Sequence, residues 1–95
     1  MAKKKQNDSM VYIGRKKTIN YVLAAMVVLN EERSVKLLAR GKSISRAVDV
    51  GEILRHKYIK GAQYGKILIT TEELTNKDGS NTNVSSMEIE ILPPK

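Results

Sequence analysis

The 95-residue sequence predicts an α+β domain with element order βαβαββ and a projecting β-hairpin arm. Three observations predict it. Runs beginning at Ile19 and at Ser43 place apolar residues at helical spacing. From Lys66 onward the chain is rich in Ile and Thr, and later alternates Met87, Ile89 and Ile91 with Glu88 and Glu90, as strands do. Between those halves lies NKDGSNTN, whose Asp78-Gly79 is a hairpin turn signal.

Residues 1–9 are polar, include Lys3, Lys4 and Lys5, and read as a flexible basic arm; residues 10–95 read as one domain. Met10 to Ile13 form a short first strand closed by Gly14. Thr18 is placed as the N-cap of a helix running from Ile19 to Leu29. Ile19, Val22, Leu23, Met26 and Val27 share one face of it, and Ala24 and Ala25 favour helix over strand. Tyr21 falls opposite that stripe, where it can stack on a base or pack against a neighbouring element. Tyr12 is assigned to the core.

The break NEER leads to a buried strand, Ser34 to Ala39, ending at Arg40-Gly41. Ser43 caps a second helix whose Ile44, Ala47, Val48, Gly51, Leu54 and Tyr58 line one stripe. Val50 and Ile53 lie off that stripe and mark a second contact surface, a candidate two-fold interface. After the loop KGAQYG come the two strands of a long antiparallel ribbon. Its outer end is nearly devoid of apolar residues, so nothing anchors it in a core, and it projects.

Composition narrows the function. A hydrophobic content of 41% in 95 residues suits one modest core. A formal charge of +7 favours a polyanionic partner. That charge is uneven: residues 1–60 hold fourteen Lys/Arg and five acids, and residues 61–95 hold three and five. The basic function therefore belongs to the first two thirds. Without cysteine there is no disulfide, thiolate metal site or thiol chemistry. The cationic start lacks an apolar signal core, and the longest apolar run, Val22 to Leu29, is far short of the ~20 residues that span a bilayer, so the expected setting is the cytoplasm.

The stretch GRKKTINY concentrates the question, because Arg15, Lys16 and Lys17 precede a helix start, the positive end of the peptide dipole. Cations there are disfavoured by roughly 0.3–1 kcal/mol each unless an anion joins them. If the first two strands are joined by the first helix as a crossover, they run parallel and their C-terminal ends share one edge. One loop then carries Arg15, Lys16 and Lys17; the next carries Arg40, Lys42 and Arg46. RKKTIN at 15–20 is echoed by RGKSIS at 40–45: strand end, cationic loop, hydroxyl, helix start. Each copy is a phosphate clamp, and two on one edge suit a repeating phosphate backbone.

No cofactor and no metal are expected, and no enzymatic role. The acids are scattered; Asp49 and Glu52 have Arg46 and Arg55 within a helical step and read as surface ion pairs. Glu72 and Glu73 point to opposite faces of a strand. His56 is a lone surface residue. Peripheral membrane binding would need an exposed aromatic or leucine face, and there is neither Trp nor Phe.

YIGRKKTINYVLAAMVVLN, then ARGKSISRAVDVGEILRHKYI, then the polar hairpin and VSSMEIEI, resemble the Alba family of archaeal chromatin proteins from Met10 to Leu92. The resemblance implies a two-layer sandwich similar to the C-terminal domain of translation initiation factor three, and a homodimer that binds double-stranded DNA without regard to sequence, and RNA as well. It implies Lys16 and Lys17 as the main contacts, Arg40 and Lys42 as additional ones, and hairpin tips, here with Lys77, reaching into the flanking minor grooves. Chromosome association, acetylation at Lys16 or Lys17, and a contact between dimers along DNA at Tyr58 are implied too. The alternative is an RNA-binding protein or RNA chaperone with little chromosomal role.

Overall fold

The structure, a computed structural model, describes residues 9–95, so the predicted basic arm lies, but for Ser9, outside the described residues. The elements are β1 (Met10–Tyr12), α1 (Thr18–Glu32), β2 (Val35–Arg40), α2 (Ser43–Ile53) with a π-helical continuation (Leu54–Tyr58), β3 (Gln63–Thr75) and β4 (Asn81–Leu92). They form one sheet of order β1-β2-β4-β3. β1 runs parallel to β2, with Tyr12 opposite Leu38, and β4 runs antiparallel to both β2 and β3. The predicted βαβαββ order and the parallel first pair are what the chain adopts.

Alternation along the strands sends Val11, Val35, Leu37, Ile89 and Ile91 toward the helices. There they meet Val22, Ala25 and Leu29 of α1 and Ala47, Val50 and Leu54 of α2 in one core. Both helices thus cover the same sheet face, giving two layers. The intervening strand positions, Tyr12, Lys36, Leu38, Arg40 and Glu88, turn to the uncovered face. Arg40 pairs with Ser86 across the ladder, so residues 81–85 of β4 continue beyond the end of β2. Five residues at strand rise extend the hairpin by ~17 Å, and it projects past the same edge that carries the loops after β1 and β2.

Several predicted details are corrected. On α1 the buried residues are Tyr21, Val22, Ala25 and Leu29, while Ile19, Leu23 and Val27 are exposed. The small Ala25 lets the helix approach the sheet closely, which outweighs the larger side chains one step of ~100° around. α1 also runs through NEE before Arg33, at φ 66°, ends it and donates its N–H to Leu29 O. On α2, Val50 is buried in place of Val48 and Tyr58, which are exposed. Val50 is 0% exposed, so it belongs to the core and not to a two-fold interface; Ile53 is half-buried against that core. Tyr12, expected inside, is 64% exposed, because the inward place on three-residue β1 goes to Val11.

The extra residue of the π-helical turn, closed by Ile59 N–H on Leu54 O at 2.7 Å, leaves no period in the sequence to read. β3 starts at Gln63 rather than Lys66 because a bulge between Tyr64 and Ile67 interrupts the alternation. Glu90 fills it, its Oε1 accepting the Lys66 N–H at 3.0 Å.

A polar knot ties α2 to the start of β3. Tyr64 Oη donates to Glu52 Oε2 at 2.5 Å, Arg55 Nη1 reaches the same oxygen at 2.9 Å, and the Arg55 guanidinium lies 4.6 Å from the Tyr64 ring centroid. His56 lies on the surface as predicted, with Nε2 3.1 Å from Glu52 Oε1. The Glu52 carboxyl is held below its ordinary range, chiefly by the Tyr64 hydrogen bond. Burial, then Glu52, pushes the Tyr64 phenol up to about 12. A tyrosine raised in the folded state contributes stability that is fully present below its unfolded value near 10 and is lost as pH rises through about 12. Absorbance at 295 nm should therefore show one tyrosine ionising near 12, and Tyr64→Phe should delete that step and flatten stability against pH above 10.

Candidate nucleic-acid interface

Parallel pairing of β1 and β2 brings the two cationic loops to one rim. Arg15, Lys16, Lys17 and Lys42 are exposed there. The Arg40 side chain is 60% exposed on the uncovered sheet face at the same end. Lys77 is exposed at the hairpin turn, beside Asp78, whose Oδ1 accepts from Ser80 N–H at 2.9 Å and Ser80 Oγ at 2.6 Å. The Ser80 hydroxyl is the main reason the Asp78 carboxyl is held low, so the tip retains a negative charge next to its cation.

Two helix starts open onto the rim, but not as predicted. Thr18 and Ser43 are the first helical residues rather than caps; Lys17 and Lys42 occupy the cap positions, and neither helix has a side-chain cap or an acid in its first turn. Both starts therefore combine an uncapped end of the dipole with a cation, an arrangement completed by an anion.

The backbone of the first loop is locked from two sides. Tyr21 Oη accepts both the Gly14 N–H and the Lys16 N–H, each at 2.9 Å. Arg46 Nη1 donates to Gly14 O at 2.8 Å and to Lys16 O at 3.1 Å. Gly14 suits this closeness, since a Cβ there would sit 3.3 Å from Tyr21 Oη, a tight contact. In the second loop Gly41, at φ 54°, makes the turn and donates to Ser85 O at 2.8 Å, fastening the loop to β4.

Two predicted contact residues thus have other work. Tyr21 is only 9% exposed and its hydroxyl is engaged, so its ring is not free to stack on a base. Arg46, expected to pair with Asp49 or reach a phosphate, braces the loop through Nη1. Arg40 is paired, its Nη2 lying 2.9 Å from Glu72 Oε1. Among the described residues, no group of three His, Asp or Glu is placed to hold a metal ion, and no helix is long and apolar enough to cross a membrane.

A groove escaped sequence reasoning. Val48, Tyr64, Ile67, Met87 and Ile89, with Glu52 at the rim, line an apolar depression of about 230 Å³ on the helix side of edge strand β3. Ile69, two residues along the same face and 69% exposed, extends it. The available signal was the Ile67/Ile69 alternation on a strand with one helix too few to cover it.

A two-layer βαβαββ sandwich with two basic loops and a hairpin arm at one end is the architecture of a known class of small basic proteins. The Alba family model matches residues 9–71, about two thirds of the chain, and the chain belongs to that family. It is 43% identical over 89 residues to the DNA/RNA-binding protein Alba of Methanocella arvoryzae, covering 93% of each chain. It is 46% identical over 85 residues to the DNA/RNA-binding protein Alba of Thermoplasma volcanium, covering 88% of this chain and 94% of that one. The solved structure of Alba from Thermoplasma volcanium superposes with a TM-score of 0.80 at 45% identity, covering 87% of this chain and 98% of that one. ALBA1 from Trypanosoma brucei shares the fold, with a TM-score of 0.76 at 22% identity over 96% of this chain and 74% of that one.

Removing the Tyr21 hydroxyl leaves two loop N–H groups without their acceptor. Tyr21→Phe should lower unfolding free energy by about 1 kcal/mol, as read by urea denaturation. It should also speed amide exchange at Gly14 and Lys16 selectively; unchanged exchange at both would show the lock to be unimportant.

Proposed function

We propose that this chain binds nucleic acid without regard to sequence, gripping the phosphates of double-stranded DNA through its two basic loops, and that it packages chromosomal DNA as a homodimer. The observation that carries this reading is the pair of uncapped, cation-flanked helix starts on one rim, with the first loop fixed by Tyr21 and Arg46. Lys16 and Lys17 are the principal contacts, Arg15 and Lys42 add charge, and Arg40, held by Glu72, faces the bound strand beside them. The hairpin arm lies on the correct side to flank a duplex, but with Lys77 set against Glu72, Glu73 and Asp78 it adds little attraction. Acetylation of Lys16 or Lys17 would remove a clamp charge and loosen the complex.

RNA is the second ligand, and a primary role as an RNA-binding protein or chaperone is the second reading, favoured by relatives named as DNA/RNA-binding. Phosphate clamps of this kind fit either duplex.

The dimer uses the groove along β3. Its apolar residues lie on an unpaired edge strand, which a second copy can cover isologously. Val48 and Ile67 replace Val50 in that role. Tyr58, exposed at the end of the π-helical turn, remains available for contacts between dimers.

Phosphate-dominated binding fixes a salt dependence. Lys16→Ala/Lys17→Ala should weaken binding to all duplexes alike and reduce the log–log salt slope by about two, measured by fluorescence anisotropy from low to physiological potassium chloride. A loss confined to one DNA sequence would contradict the proposal. Light scattering should give twice the 10.6 kDa chain mass for the wild type and a single chain for Ile67→Glu; a dimeric Ile67→Glu would move the interface elsewhere.

A further inference from the structure

The sheet face that no helix covers is mostly neutralised. Lys36 Nζ lies 3.6 Å from Glu88 Oε2 and Arg40 is paired with Glu72, while the Glu90 carboxylate, bonded only to the neutral Lys66 N–H, adds negative charge. A phosphate chain gains little by lying across it. At the rim end of this face, however, Tyr12, Leu38, Arg40, Ser43, Glu72 and Ser86 line a cavity of about 350 Å³. It abuts the second clamp directly, because Ser43 is both a wall of the cavity and the first residue of α2, next to Lys42.

The lining is unusual in what it combines. Tyr12 offers an aromatic ring, 64% exposed, whose hydroxyl makes a weak contact to Met10 Sδ at 3.8 Å. Leu38, its ladder partner, adds apolar floor. Opposite stand a guanidinium with donors to spare, a carboxylate, and the hydroxyls of Ser43 and Ser86. A phosphate does not need the ring and the leucine, and an aliphatic group does not need the charges. A planar heterocycle with donors and acceptors along its edge uses both.

We propose that this cavity receives a single unpaired nucleobase from a strand whose phosphates are held on the adjacent basic loops. Tyr12 stacks on the base, while Arg40 and Glu72, oriented by their 2.9 Å ion pair, meet its polar edge. A base inside a duplex is already stacked and paired, so only a bulge, loop or strand end can enter. The site thereby gives a protein that grips phosphates indiscriminately a preference for irregular RNA over perfect helices. The inference rests on the nucleic-acid binding proposed above.

The test compares an RNA stem carrying one bulged 2-aminopurine with its fully paired counterpart, by anisotropy and by 2-aminopurine fluorescence. The wild type should bind the bulged stem more tightly, by about 5- to 140-fold, the range that one base–aromatic stack supplies, and should quench the probe. Tyr12→Ala should bind both stems with the wild-type affinity for the paired one, and Tyr12→Phe should keep the preference. Equal wild-type affinities, or a Tyr12→Ala loss that is the same for both stems, would overturn the proposal. Free adenosine monophosphate displacing the bulge at a lower concentration than bulged RNA would overturn the assignment to a strand-borne base. Because the paired stem is measured alongside, a failure of the clamp appears as weak, salt-insensitive binding to both stems, whereas a failure of the cavity leaves paired binding intact.

Discussion

The rim depends on how the loop between β1 and α1 disposes of its backbone polar groups. Gly14 and Lys16 each have both their N–H and their carbonyl satisfied by side chains, the N–H groups by Tyr21 Oη and the carbonyls by Arg46 Nη1. Buried or half-buried backbone groups must find such partners, and here they come from two different helices. The loop is therefore tied to α1 and α2 at once. Its lysine side chains are left exposed, on a main chain that is held in place. Such a support reduces the ordering that binding would otherwise require.

The arrangement also accounts for where charge is tolerated. Arg15, Lys16, Lys17 and Arg46 crowd one loop at a positive helix end, which is unfavourable without an anion. Arg46 offsets part of that cost by hydrogen bonding to two carbonyls. On the open sheet face the solution is the opposite one, with Lys36 and Arg40 each given a glutamate. The rim thus gathers Arg15, Lys16, Lys17 and Lys42 at one edge, a concentration of positive charge that the glutamate-paired sheet face does not match.

Much of this was legible in the sequence, and the boundary is physical. The βαβαββ order follows from local signals: helical and alternating periods, glycine-marked turns, and Asp78-Gly79. Parallel β1 and β2 then require Arg15–Lys17 and Arg40–Lys42 to share an edge, so the two cationic loops could be brought together without coordinates. Which helix face is buried was not legible, because Ile19, Leu23 and Val27 outweigh Tyr21, Ala25 and Leu29 in hydrophobicity, and only close helix-to-sheet approach favours the second set. On α2 the predicted stripe largely held, with Ala47, Gly51 and Leu54 buried, and Val50 took the place of Val48. Tyr21 and Arg46 drew attention as candidate ligands, and their bracing role is visible only across space, since Arg46 and Gly14 stand 32 positions apart.

The two sides of the sheet end up with complementary deficits. Two helices cannot cover four strands, so the helix side of β3 leaves Ile67 and Ile69 uncovered beside Val48. On the opposite face no helix lies among the described residues, and ion pairs stand instead of a second core. An uncovered apolar edge is tolerable only when something covers it, whereas a charge-paired face is stable in water as it stands. The asymmetry separates two surfaces of the molecule: an apolar one along β3 and a cationic one at the rim. Because β4 runs antiparallel to β2, the hairpin that begins at the apolar edge ends beyond the basic loops. Pairing two chains along that edge would therefore affect the reach of the rim without altering the loops themselves.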